Sequence, residues 1–171
     1  MTEITEYICK HCGKTHTDLP AIAFITPYHY DILSDNDKAN IATINEDFCV
    51  IEHEDQTDFF IRTTLKQKLV DSCDFLEYGI WVSLSEKSYD DYNDNFNNDN
   101  HETTYFGFIC NQIPEYEQTL SVKTNVNTQK GNSRPIVVPH QDQMDNKFVF
   151  DYYNGITQEE AISRVKAMLD N

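Results

Sequence analysis

Two long runs of β-branched and aromatic residues, Phe59-Phe-Ile-Arg-Thr-Thr-Leu65 and Phe75-Leu-Glu-Tyr-Gly-Ile-Trp-Val-Ser-Leu84, constrain this chain more than any other feature. Such residues suit a pleated, half-buried surface. The Asp71-Ser-Cys-Asp74 tetrad between them is made of turn formers, so the runs are expected to be antiparallel neighbours at the centre of a sheet. Shorter runs at residues 48–51, 104–110, 120–125 and 135–138 read as further strands, the last two separated by the polar loop 127–132. The expected fold is α+β: a mainly antiparallel meander backed by two or three helices, with an N-terminal Cys-x-x-Cys hairpin resembling a zinc knuckle.

Helices are expected at three places. Thr157-Gln-Glu-Glu160 has the letters of a capping box, in which the threonine oxygen accepts the N3 amide and Glu160 reaches back. Ile156 outside it can staple onto Ala161, and Ile162, Val165, Met168 and Leu169 then recur at helical spacing. A second helix is expected over residues 86–96, where Tyr89, Tyr92 and Phe96 share one face among Asp and Asn. A third begins after Ser34. No repeat and no linker long enough to split the chain is visible, so a single domain over 1–171 is expected. Within it, residues 1–20 form the metal-knuckle hairpin, 21–156 the sheet core and 157–170 a C-terminal capping helix.

The balance of 13 Lys and Arg against 29 Asp and Glu leaves a net charge of −16 over 171 residues. This charge repels phosphate, which argues against nucleic acid or an anionic membrane as a partner and leaves a basic protein as the partner to expect. No apolar run approaches a membrane span, and the N-terminus lacks a basic region followed by an apolar one, so a cytoplasmic location is expected. There a close cysteine pair more often holds metal or does redox work than forms a disulfide.

Cys9-Lys-His-Cys12-Gly13 is the strongest chemical feature. Two thiolates two residues apart can converge on one cation, and the glycine permits the tight turn; this is half of a zinc-ribbon site. His16 is the nearest nitrogen ligand and Cys49 the best distant sulfur, ahead of Cys73, Cys110 and His53. A mixed sulfur and nitrogen set suits zinc better than calcium or magnesium, so a structural zinc is the expected cofactor. The competing reading is a degenerate knuckle, two reduced thiols without metal. A thioredoxin-like role fits poorly, because Gly13 and Pro20 follow where a helix should start.

The order Cys9-x-x-Cys12-Gly-x-x-His16, Leu19-Pro20, Asp47-x-Cys49-x-Ile51, Phe60-Ile-Arg62, Gly79-Ile-Trp-Val-Ser-Leu-Ser85, Tyr105-Phe-Gly-Phe108 and Arg134-Pro135 resembles a bacterial family of uncharacterised proteins. That family is catalogued as domain of unknown function twenty-one ninety-nine. The resemblance implies that Cys9, Cys12, His16 and Cys49 occupy motif positions, and it favours them as the metal ligands over Cys73 and Cys110. It implies no activity.

Other signals point to structure more than to chemistry. Residues 91–102 place oxygen side chains like an EF-hand loop, but Phe96 stands where the turn requires glycine. Ser83 and Ser85 lie in a strand without a nucleophile elbow. Arg62 is expected to satisfy a neighbouring acidic group at the sheet edge, and His29 and His140 to be structural or exposed. The reading is a small acidic protein, more a binding module than an enzyme, with a structural metal. Its size and charge are those of immunity proteins that neutralise toxins. Asp90, Asp91 and Asp94 are the expected partner-binding face. The alternative is a zinc-dependent enzyme of unknown substrate with an open coordination position.

Overall fold

Apolar alternation along residues 57–84 builds the centre of the molecule. In a computed structural model that describes residues 4–170, the two long runs pair antiparallel from Phe59↔Leu84 to Lys68↔Phe75. The chain begins with a hairpin of β1 (Thr5–Ile8) and β2 (Thr15–Asp18). Strand β3 (Ile22–Ala23), helices α1 (Tyr28–Asp31) and α2 (Asp35–Asn40) and strand β4 (Ala42–Ile44) lead into the sheet. Strands β5 (Phe48–Glu52), β6 (Thr57–Lys68) and β7 (Phe75–Leu84) follow, then helix α3 (Glu86–Asp94). Strands β8 (Thr104–Ile109), β9 (Lys123–Asn127) and β10 (Ile136–Pro139) precede helices α4 (Lys147–Asn154) and α5 (Gln158–Leu169). The first three residues of the expected knuckle segment lie outside the described residues.

The sheet is not the plain meander expected from the sequence. Strands β6, β7, β8, β9 and β10 run antiparallel to their neighbours, and β10 then meets β6 in parallel at Ile136↔Thr64, closing a five-strand barrel. The Thr64 N–H donates to the Pro135 carbonyl across this seam at 2.9 Å. Closure protects edges that an open sheet would leave unpaired. It was not legible because periodicity says which face a residue occupies, not which distant strand completes the ring.

Register explains the core. Ile61↔Val82, Thr63↔Ile80 and Leu65↔Tyr78 are cross-strand pairs, and Ile61, Leu65, Tyr78, Ile80 and Val82 pack with Ile109, Val126 and Val137. Phe148 and Val149 of α4 and Ala161 and Val165 of α5 join this cluster. The opposite face of the same strands carries a second core of Phe60, Trp81, Cys49, Ile51 and Cys110, packed against Tyr30, Leu33 and Ile41 around α1 and α2. Ile80, Trp81 and Val82 are therefore all fully buried, as a strand covered on both faces requires.

Ser34, Ser85 and Thr157 cap α2, α3 and α5, each accepting the N3 amide. Glu160 turns to Arg164, 2.6 Å away, so the reciprocal half of the capping box is replaced by an ion pair. Strand β9 starts three residues later than expected, because Ser121 takes a left-handed φ of 67° and breaks the extended run. Among the described residues no helix is long and apolar enough to cross a membrane.

Candidate metal centre

The N-terminal hairpin carries both knuckle thiols in its turn. The Cys9 N–H donates to the Lys14 carbonyl and the Gly13 N–H to the Cys9 carbonyl, both at 2.8 Å. Gly13 sits at φ +70°, where a side chain would strain the backbone. In the register, His16 faces Tyr7 across the hairpin, and its side chain is buried at 2% exposure.

The fourth member of the cluster comes from residues 71–74, the turn joining β6 to β7. Cys73 Sγ lies 3.1 Å from Cys9 Sγ, 3.9 Å from Cys12 Sγ and 3.4 Å from His16 Nε2, and Cys12 Sγ lies 3.0 Å from His16 Nε2. All four ligand atoms fall within 4.8 Å of one another. A tetrahedral zinc with Zn–S near 2.3 Å and Zn–N near 2.0 Å needs edges of about 3.8 Å between sulfurs and about 3.5 Å between sulfur and nitrogen. The observed separations approach these edges, and the donor set is that of a three-cysteine, one-histidine zinc site.

Cys49, the expected fourth ligand, is elsewhere. It lies on β5 opposite Phe60, fully buried in the second core, and burial pushes its thiol up to about 12. Cys110 shares that core and burial likewise raises it to about 12. Both behave as small apolar side chains. The knuckle thiols lie beside the β6–β7 turn that carries Cys73, not beside the strand that holds Cys49. A legible signal existed: Cys73 is flanked by Ser72 and Asp74, whereas Cys49 sits among Phe48, Val50 and Ile51.

The knuckle's own groups polarise its sulfurs. Cys9 is lowered to about 6, first by the Cys12 backbone amide and then by the Cys73 thiol and the His11 amide. Cys73, hydrogen-bonded to Cys9, is raised to about 11 and keeps its proton while Cys9 loses one. His16 Nδ1 lies 2.8 Å from Ser72 Oγ, which also accepts the Asp74 N–H at 3.2 Å. A proton held on Nδ1 by this contact leaves the Nε2 lone pair for a metal. Tyr7 donates to the Asp74 carboxylate, and α5 ties the parts together. The Gln158 side chain donates to Thr17 Oγ1 at 2.9 Å and its backbone N–H to Asp71 Oδ1 at 2.8 Å.

Of the other expected groups, Asp90, Asp91 and Asp94 are exposed on α3, whose Tyr92 is buried. Asp91 also accepts from Tyr105 Oη at 2.6 Å, so it holds the barrel as well as facing solvent. Among the described residues the Arg62 guanidinium makes no ion pair with the nearby carboxylate expected of it. The Arg62 backbone N–H donates to the Asp47 carbonyl at 3.0 Å, while the Asp47 carboxylate pairs with Arg134 Nε at 2.8 Å. Burial, then the neighbouring Arg134, lowers the Arg62 pKa.

Residues 8–156 match the model of the family described as an uncharacterized protein conserved in bacteria (DUF2199), and the chain belongs to that family. Among curated proteins and solved structures, none matches the chain.

Proposed function

We propose that this DUF2199 domain holds one zinc ion as a structural staple and works by binding a basic protein partner, not by catalysis. The observation that carries the metal is the convergence of Cys9, Cys12, His16 and Cys73 within 4.8 Å. Four protein donors complete a tetrahedron and leave no coordination position for water, whereas a hydrolytic zinc keeps one open. The ion would join the hairpin to the β6–β7 turn, coupling its binding energy to folding.

The partner reading rests on charge. The exposed face of α3 presents Asp90 and Asp94 beside Glu86, in a chain with net charge −16, and such a field accelerates encounter with a cationic surface. Neutralising a toxin is one form this binding could take.

Protein purified without chelator should carry one zinc per chain by elemental analysis; protein that stays free of metal in zinc-supplemented medium rejects the staple. For the partner, D90K and D94K should slow association with the protein captured from the host and flatten its salt dependence. Association at the wild-type rate would show that this face does not recognise it.

A further inference from the structure

A cavity of about 580 Å³ opens on the outer face of the barrel, apart from the metal centre. That is ample for a small organic molecule. The register builds it. Phe60 pairs with Ser83 across β6 and β7, and Ser83 pairs with Phe108 across β7 and β8. The Ser83 hydroxyl thus lies on the strand between those of Phe60 and Phe108, whose backbones stand about 10 Å apart, two strand spacings. Gly107 permits this approach, because a Cβ there would come within 2.8 Å of the Ser83 carbonyl oxygen.

Two features show what would fill the slot. Phe106 and Phe108, in edge-to-face contact at 5.0 Å, remain 47% and 39% exposed, so apolar ring surface at the mouth is left to solvent. His29, on α1, lines the cavity with its ring 5.3 Å from that of Phe60, and its Nδ1 is buried without a hydrogen-bond partner among the described residues. A buried polar atom left unpaired is unfavourable, and a ligand's polar group can supply the missing partner.

Charge narrows the class. Among the described residues no lysine or arginine lines the cavity, and Asp58 is its carboxylate. A phosphate or carboxylate would find no counter-charge there, in a chain of net charge −16.

We infer that this cavity binds a small, flat heteroaromatic molecule, neutral or cationic, whose ring lies against Phe106 and Phe108 and whose polar edge meets His29 and Ser83. The inference is independent of the zinc staple, since no ligand of the metal cluster lines the cavity.

The test is a titration of the zinc-loaded full chain by ¹H–¹⁵N NMR with adenine, benzamidine and benzoate. Adenine and benzamidine should saturably shift signals of residues 83–85 and 106–110, with benzoate at least about tenfold weaker for want of a cation. H29F keeps a ring against Phe60 and should weaken adenine about tenfold. F108A, at a half-exposed position, should weaken both adenine and benzamidine. The inference is overturned if neither probe shifts these signals, if benzoate binds as tightly as benzamidine, or if both variants bind adenine like the wild type.

Discussion

Replacing Cys73 by serine removes the one proposed ligand that lies outside the N-terminal hairpin, and with it the cross-link. Fifty-seven positions separate His16 from Cys73. Releasing a closed loop of that length returns about 4 kcal/mol of chain entropy to the unfolded state in the cross-link model. For a domain of this size each kcal/mol shifts the melting temperature by about 2–4 °C, so C73S should melt about 10 °C below the zinc-loaded wild type. Chelator should reproduce that loss in the wild type and add only about 3 °C or less in C73S, because little cross-link remains to break. C49A is the control. It opens a small cavity in the second core and should cost about 1–2 kcal/mol while keeping full zinc content and full chelator sensitivity. Thermal melts followed by circular dichroism, with metal analysis of each sample, decide the matter. A C73S protein with wild-type zinc and chelator response, or a C49A protein that loses both, refutes the reasoning.

Three further outcomes follow from the packing. S72A deprives His16 Nδ1 of its partner at 2.8 Å and should weaken zinc binding about 10–100-fold in competition with a chromophoric chelator; unchanged affinity would show that the contact does not orient the ring. G107A drives a Cβ to 2.8 Å from backbone and should cost about 1–3 kcal/mol, whereas G79A meets a side-chain carbon at 3.3 Å and should cost less; equal melting temperatures contradict this. D151A removes the buried carboxylate that Tyr116, Lys147 and Arg164 share. It should cost about 3–5 kcal/mol by urea unfolding against less than about 0.5 for D94A on the exposed face, and a loss no greater than that of D94A would overturn it.

What could be read in the sequence was local. The 75–84 run, the serine and threonine caps and the Cys9, Cys12 and His16 half-site are each specified within a few residues, by alternation, hydroxyl placement or spacing. That Cys73 joins the cluster was not legible, because a residue from a distant turn leaves no spacing signature, whereas Cys49, in its apolar run, lies in the second core. Helix α4 was missed because Phe148, Val149, Tyr152 and Tyr153 are strand formers by type. Asn146 caps it by accepting the Phe148 and Val149 amides, and burial of Phe148 and Val149 outweighs their propensity. Gly155, at φ +86°, ends it. The barrel seam depends on Thr64 meeting Ile136 from the far side of the chain, a contact for which a single strand's pattern carries no record.

X-ray absorption at the zinc edge of the purified full chain tests the central claim most directly, since it counts the atoms around the metal. Three sulfurs near 2.3 Å and one imidazole nitrogen near 2.0 Å are predicted, with the nitrogen lost in H16A and one sulfur lost in C73S but none in C49A. A shell of oxygen and nitrogen, or a sulfur lost in C49A, would contradict it.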